Sequence, residues 1–225
     1  MGGLFLTGTN TGVGKTYVGA MIARALVNAG QCVGVYKPVE SGCQREGAAL
    51  IAADAQELWD AAGRPGELSC VCPQRFEAAL APPQAAALES KTVDRDLLRS
   101  GLGYWQLRSD FVLVEGAGGL MSPLSDKDYN ANLAADLDLP LLIVAANELG
   151  VINATLQTII TARAVASDLP IAGVILNQTA EHADDISVSR NAAELRDRCD
   201  VPVLATVEFG QQQLSDEVDW FAVGE

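Results

Sequence analysis

Six apolar runs recur along the chain, and segments compatible with helices separate them. The runs span residues 3–7, 32–36, 110–114, 140–145, 171–176 and 202–207. Residues 111–114 and 141–144 are continuously apolar, which is typical of strands buried on both faces of a parallel sheet. Helices are predicted at 14–29, 49–62, 92–108, 153–166 and 186–198. The alternation predicts a doubly wound α/β fold, a single domain over residues 1–225, with a mainly parallel sheet and helices on both faces.

The first apolar run leads into a glycine-rich loop. Residues 8–16 complete the pattern G-x-x-x-x-G-K-T between a predicted strand and a predicted helix. Gly12 and Gly14 permit the close approach that lets backbone N–H groups bind phosphates. Lys15 would supply charge to the β- and γ-phosphates, and the Thr16 hydroxyl would complete the coordination of Mg²⁺. The sequence therefore predicts a P-loop nucleotide-binding fold that uses Mg-ATP or Mg-GTP.

Polar residues also follow other predicted strands, and the carboxyl ends of parallel strands meet at one edge of a sheet. Lys37 and Ser41 follow the second strand beside the loop, where Lys37 is expected to stabilise charge during transfer. Glu115 ends the third strand and, together with Asp54, offers hard oxygen ligands for Mg²⁺. Asn177 ends the fifth strand with an amide that can bind an adenine edge.

Each of these side chains also has a structural interpretation. Lys37 could be a solvated charge, Asp54 an ordinary aspartate at a helix start, and Asn177 a strand terminator. Asn153 opens a predicted helix whose exposed N–H groups could bind a carboxylate, and it would either cap that helix or contact the ligand.

Composition narrows the class of protein. A chain of 225 residues with 49% hydrophobic residues can bury one sizeable core. The net charge of −14 argues against nonspecific binding to nucleic acid or to anionic membranes, and the absence of a signal peptide or apolar span predicts a cytoplasmic protein. The five cysteines lack paired C-x-x-C spacing and are expected to be reduced thiols. His182 is the single histidine, so a Ser-His-Asp scheme has little basis.

Five segments together resemble the dethiobiotin synthetase family of ATP-dependent carboxylases, and they extend over nearly the whole chain. Besides the loop, they read Tyr-Lys-Pro-Val-Glu-Ser-Gly at 36–42, Val-Glu-Gly-Ala-Gly-Gly at 114–119 with Pro-Leu at 123–124, Leu-Gly-Val-Ile-Asn at 149–153 and Gly-Val-Ile-Leu-Asn at 173–177. Many ATPases share the loop alone. The second and third segments, in this order and spacing, are far more specific.

The resemblance implies a homodimer that binds 7,8-diaminopelargonic acid at the subunit interface. One amine takes up CO2 as a carbamate, ATP phosphorylates the carbamate, and the second amine closes a cyclic urea with loss of phosphate. Lys37, Lys15 and Thr11 would act at the reacting groups. Thr16, Asp54 and Glu115 would hold Mg²⁺.

The resemblance also implies the binding residues. The nucleotide would contact Gly12, Val13, Gly14, Lys15, Thr16, Tyr17, Asp54, Glu115, Gly116, Ala117, Gly118, Asn177, Gln178, Glu208, Phe209 and Gly210. The diamine would contact Thr11, Lys37 and Ser41, with its carboxylate at the partner subunit's Gly150, Val151 and Asn153.

The chain departs from that family in two places. Asn10 and Gly12 stand where many members carry acidic residues, and residues 81–83 read Ala-Pro-Pro where relatives often read Ser-Pro-His. Two other classes of protein have a similar fold. A ParA/MinD-like ATP switch usually has a second lysine early in the loop, where residues 9–11 read Thr-Asn-Thr. A cobyrinate amide ligase normally needs an attached glutaminase domain.

Overall fold

The computed structural model describes residues 2–181, 185–215 and 217–225, and His182 lies outside these ranges. The described strands are β1 (Gly2–Gly8), β2 (Val33–Tyr36), β3 (Val39–Ser41), β4 (Gln44–Glu46), β5 (Ala49–Ile51), β6 (Gln74–Phe76), β7 (Phe111–Gly119), β8 (Leu141–Ala146), β9 (Ile171–Asn177) and β10 (Val203–Val207). The helices are α1 (Lys15–Asn28), α2 (Ala53–Ala61), α3 (Leu68–Val71), α4 (Pro82–Leu88), α5 (Arg95–Ser100), α6 (Leu102–Gln106), α7 (Asn130–Leu137), α8 (Val151–Val165), α9 (Asn191–Arg198) and α10 (Trp220–Val223).

The central sheet is parallel throughout and has the strand order β2-β7-β1-β8-β9-β10. β1 lies in the middle, with β7 and β2 on one side and the later strands on the other. Because strands are added on both sides of β1, the sheet is doubly wound. Such sheets bind ligands at the point where the strand order reverses, beyond the carboxyl ends of the strands. The predicted α/β fold and its six main strands are confirmed.

Apolar burial explains why these strands occupy the centre. All seven residues of β1 are buried, and β7 is buried from Phe111 to Gly116. A strand that carries apolar side chains on both faces needs helices on both faces, which excludes water from the whole sheet. Within the described ranges, no helix has both the length and the apolar content to cross a bilayer.

Two predicted helices are wrong in part. Residues 49–51 form β5, which pairs with β4 because Gly47 adopts a φ of 61° and closes a tight hairpin. The single helix predicted at 92–108 is two short helices. Asp94 caps the first by accepting the N–H of Leu97, so α5 cannot begin before Arg95.

Three other boundaries also differ from the prediction. The helix predicted at 186–198 is regular only as α9, and α8 begins two residues before the predicted start at 153. β7 continues to Gly119, so Glu115 lies inside a strand and does not end it. The small parallel pair of β3 and β6 and the helices α3, α4, α7 and α10 were not predicted, because their segments are too short for a clear periodicity.

A buried carboxylate ties α5 to the loop before α7. Asp128 accepts hydrogen bonds from Arg95 Nε at 2.6 Å, from Arg99 Nη2 at 2.8 Å and from Ser125 Oγ at 2.6 Å. The hydrogen bonds from Arg95 lower the pKa of Asp128 well below its usual range. Asp128 therefore stays ionised at neutral pH and links α5 to the loop before α7.

We expect Asp128→Asn to lower the free energy of unfolding by about 2 kcal/mol at neutral pH, a value reduced by the partial exposure of both arginines. Because the folded pKa of Asp128 lies below its unfolded value of about 4, its stabilisation is full above that pH and is lost as the pH falls. The unfolding free energy, measured by urea denaturation at a series of pH values, should therefore fall less steeply toward acid pH in this variant than in the parent. Asp136→Asn, which removes an exposed partner of Arg99, is the control and should change stability less.

Candidate active site

The glycine-rich loop joins β1 to α1 at the middle of the sheet. Gly14 takes the N-cap position of α1 with a φ of 84°, and no side chain caps this helix start within the described ranges. The first-turn N–H groups of α1 are therefore available for an anion. Asn10 accepts the N–H of Thr11 at 2.8 Å, so it shapes the loop.

A cavity of about 460 Å³ opens above this loop. It lies over the carboxyl-terminal parts of β1, β2 and β7. Its lining residues are Thr11, Gly12, Gly14, Lys15, Thr16, Tyr17, Lys37, Glu40, Ser41, Asp54, Glu57, Glu115, Ala117 and Gly118. Most were predicted from the sequence as site residues, whereas Glu40 and Glu57 were not.

Lys37 and Glu115 meet because of strand register. Tyr36 lies opposite Val114, so the residue after β2 comes level with Glu115. Lys37 is 2% exposed, and its Nζ donates to Asp54 Oδ2 at 2.8 Å and to Glu115 Oε1. The interpretation of Lys37 as a solvated charge is therefore wrong.

The charges in this cluster stabilise one another. Burial by itself would lower the pKa of Lys37, but the carboxylates of Glu115 and Asp54 outweigh it and raise that pKa. Burial alone would raise the pKa of Asp54, yet Lys37 lowers it. Lys37 is thus a buried ammonium with two ionic partners.

Three oxygen donors at this point could hold a cation. The Thr16 hydroxyl donates to Glu115 Oε1 at 2.9 Å, and Asp54 reaches the same cluster through Lys37. Glu115 Oε2 is buried and has no hydrogen-bond partner among the described residues. Such hard oxygen donors, one of them unpaired, fit Mg²⁺. The described residues contain no group of three or more acidic, His or Cys side chains that could hold a metal alone.

Lys15 lies beside this cluster, and its pKa is shifted in the direction opposite to that of Lys37. Burial lowers the pKa of Lys15, and the charge of Lys37 adds to this effect, although Glu115 opposes it. An anion placed at the start of α1 would favour the charged form of Lys15. The position of this lysine therefore suits a phosphate.

Asn177 connects β9 to the loop. Its Nδ2 donates to the carbonyl of Val13 at 2.9 Å, while its Oδ1 is buried with no partner among the described residues. A Cβ on Gly14 would lie 2.2 Å from Asn177 Nδ2, so only glycine fits there. Asn177 does more than end a strand, because its amide N–H holds the loop at Val13.

The segment after β10 lies close to Asn177. The N–H of Phe209 donates to Gln178 Oε1 at 3.1 Å, and the N–H of Glu208 donates to Gln211 Oε1 at 3.0 Å. Tyr17 donates its hydroxyl to the carbonyl of Gln211. Residues 208–211, including Gly210, are therefore brought next to the start of α1, and Gln211 is a member of this group that the sequence did not indicate.

Two of the three predicted carboxylate-binding residues lie at a second cavity, of about 290 Å³, on the other side of the loop. Gly150 and Val151 line it together with Thr11 and Gly12 of the same chain, whereas Asn153 is exposed and does not line it.

Ser41 donates its hydroxyl to the carbonyl of Leu80 at 2.6 Å, just before α4 begins at the Ala-Pro-Pro segment.

One further residue that the sequence did not indicate shapes the glycine-rich end of β7. Asn130 accepts the N–H of Ala117 at 3.1 Å and donates to the carbonyls of Ala117 and Gly119 at 2.7 Å. A Cβ on Gly116 would lie 2.3 Å from Asn130 Oδ1. These contacts fix residues 116–119, which include Gly118, at the edge of the large cavity.

The parallel sheet, the glycine-rich loop at its central strand and the lysine–carboxylate cluster define a P-loop nucleotide-binding protein. A family model described as "AAA domain" matches residues 2–217. Two solved structures show the same fold: FtsY of Elizabethkingia anophelis in complex with GDP, with a TM-score of 0.53 at 15% identity, and chloroplast FtsY of Physcomitrella patens, with 0.52 at 18%. These matches cover 98% and 95% of this chain but only 62% and 61% of the FtsY chains.

Curated relatives are much more similar. The ATP-dependent dethiobiotin synthetase BioD of Rhodopirellula baltica is 46% identical over 214 residues, which cover 90% of this chain and 82% of that protein. The BioD proteins of Anaeromyxobacter dehalogenans and Thermodesulfovibrio yellowstonii are 42% and 32% identical, and cover 87% and 98% of this chain and 84% and 94% of their own length. The chain belongs to the dethiobiotin synthetase family, and the family predicted from its motifs is confirmed.

The Asn177 contact yields a stability prediction. Gly12 and Gly14 both have a positive φ, of 79° and 84°, but a Cβ on Gly12 would meet nothing within 4 Å. We expect Gly12→Ala to cost about 1 kcal/mol of unfolding free energy from backbone strain alone, and Gly14→Ala at least about 1 kcal/mol more, since it also displaces Asn177. Chemical denaturation of the two ligand-free variants measures the difference. Equal losses would contradict the predicted contact.

Proposed function

We propose that this chain is an ATP- and magnesium-dependent dethiobiotin synthetase. It would convert 7,8-diaminopelargonic acid, CO2 and ATP into dethiobiotin, ADP and phosphate. The observation that carries the proposal is the buried Lys37 ammonium between Glu115 and Asp54 at the edge of the phosphate loop. Family membership favours this activity over a ParA/MinD-like switch.

The proposed reaction proceeds through anions, and the lysines match them. An amine of the substrate would attack CO2 and form a carbamate, a carbamate oxygen would attack the γ-phosphorus with release of ADP, and the second amine would attack the carbonyl carbon and expel phosphate. Lys37 and Lys15 would offset the charge of the carbamate and the transferring phosphoryl group, with Thr11 and Ser41 contacting the diamine. Little base catalysis is needed, because an amine and CO2 react once they are held together.

Mg²⁺ held by Thr16, Asp54 and Glu115 would neutralise charge on the β- and γ-phosphates. The unpaired Glu115 Oε2 supports this assignment. The backbone of residues 12–17 would bind the phosphates, and Gly116, Ala117 and Gly118 would line the other side of the nucleotide site.

We also propose ATP as the nucleotide. Asn177 Oδ1 is an acceptor with no partner among the described residues, and an acceptor suits the N6 amino group of adenine better than the O6 of guanine. Gln178, Glu208, Phe209 and Gly210 would complete the surroundings of the base.

A homodimer would complete the substrate site in this proposal. The carboxylate of the diamine would bind at the partner subunit's Gly150, Val151 and Asn153, at the start of α8, whose first-turn N–H groups favour an anion. Leu149, next to Gly150, is 83% exposed, which suits burial in a subunit interface. The cytoplasmic location remains a proposal as well.

The test measures phosphate release from Mg-ATP with bicarbonate, with and without 7,8-diaminopelargonic acid, while mass spectrometry detects the product. We expect release that depends on the diamine and forms a cyclic urea in equal amount. Hydrolysis that is independent of the diamine would contradict the proposal and favour an ATP switch.

Lys37→Ala and Lys37→Gln should each lose about 2–4 kcal/mol of transition-state stabilisation, which is about a 30- to 1000-fold fall in kcat/KM. Lys37→Gln retains a hydrogen-bond donor for the two carboxylates and so separates charge from packing. The control is Lys91→Ala, which removes an exposed lysine paired with Glu89. Near-normal turnover in a folded Lys37 variant would overturn its proposed role.

A further inference from the structure

Glu40 is a buried carboxylate that the proposed reaction does not use. It lies in β3, three residues after Lys37, and is 6% exposed. It lies within the segment at residues 36–42, in which only Lys37 and Ser41 have a role in the proposed reaction. A carboxylate is buried at a cost unless its oxygens are hydrogen-bonded, and this one is bonded through both of them.

The partners of Glu40 are backbone groups of α2. Glu40 Oε1 accepts the N–H of Asp54 at 3.1 Å, and Oε2 accepts the N–H of Ala55 at 3.0 Å. The N-cap residue of α2 is Ala52, which has no side chain that could cap. Glu40 of β3 thus accepts two N–H groups in the first turn of α2 that would otherwise lack a partner, and a negative charge is favourable at this end of a helix.

This contact links Glu40 to the cluster of Lys37, Asp54 and Glu115. Glu40 holds the backbone of Asp54, and the side chain of Asp54 accepts a hydrogen bond from Lys37 at 2.8 Å. Lys37 and Glu40 belong to the same short segment of chain. Glu40 therefore fixes the position of Asp54, a proposed Mg²⁺ ligand, and of Lys37 beside it.

We infer that Glu40 is a positioning residue that orients Asp54 toward the cation. This inference rests on the proposed role of Asp54. Both oxygens of Glu40 face backbone N–H groups of α2, so the inference gives the ligand role to Asp54 and the positioning role to Glu40. Residues that orient metal ligands in this way commonly affect metal affinity as much as activity.

The test measures Mn²⁺ binding by electron paramagnetic resonance in the presence of ADP, together with ADP binding in EDTA. Glu40→Gln should weaken Mn²⁺ binding about 10-fold or more, since the neutral amide cannot accept both N–H groups, and leave metal-free ADP binding unchanged. The double variant Glu40→Gln/Asp54→Asn should bind Mn²⁺ no more weakly than Asp54→Asn alone, because Glu40 acts through Asp54.

Asp219→Asn is the matched control. Asp219 also accepts two first-turn N–H groups, those of Phe221 and Ala222, and α10 lies at the opposite end of β1, where Gly3 donates to the carbonyl of Gly224. It should lower thermal stability without a change in Mn²⁺ affinity.

Mn²⁺ affinity of Glu40→Gln within about twofold of the parent, or additive losses in the double variant, would overturn the inference. Unchanged affinity in Asp54→Asn would overturn it as well. The cyclic-urea assay needs no measurement of metal affinity, so failure of the proposed reaction would be seen separately.

Discussion

The buried ion pair between Lys37 and Glu115 is the interaction on which the site depends. An isolated ammonium inside a parallel sheet would be very costly, and so would an isolated carboxylate. Each is tolerated because the other is present, with Asp54 and Thr16 at the same point. The register of β2 against β7 brings Lys37 level with Glu115, and the apolar strands around them keep water away. The fold and the site are therefore not independent, since a change of register would leave two unpaired buried charges.

Much of this arrangement could be predicted from the sequence, because parallel sheets place the carboxyl ends of their strands at one edge. The P-loop, Lys37, Glu115 and Asn177 follow apolar runs that are easy to recognise, and the structure brings them together at one edge of the sheet. Glu40, Asn130 and Gln211 were not indicated. Their contacts are made with backbone groups distant in sequence, such as the N–H of Ala55 and the carbonyl of Gly119, and no periodicity encodes such partners. Short elements such as β3 and α4 escaped prediction for a related reason, since tertiary pairing and capping stabilise them.

The hydrogen bonds that Asn130, Asn177 and Glu40 make to the backbone share one physical task. The glycines around the phosphate site leave the backbone with few side chains to hold it, and glycine is the most flexible residue in an unfolded chain. Asn130 replaces the missing side-chain packing of residues 116–119 with three backbone hydrogen bonds. Asn177 does the same for Val13, and Glu40 for the start of α2. A site that must let backbone approach a ligand closely thus obtains its rigidity from buried polar side chains in neighbouring elements.

The two lysines of the cavity show how neighbouring groups can be prepared for different tasks. Lys37 already has its carboxylate partners, which raise its pKa against the effect of burial, so it is charged before any ligand binds. Burial lowers the pKa of Lys15, and the nearby charge of Lys37 adds to this effect, although the carboxylate of Glu115 opposes it. A bound phosphate would supply the missing partner of Lys15. In a protein with a net charge of −14, anion binding then relies on Lys15 and the uncapped first-turn N–H groups of α1, and not on the overall field of the molecule.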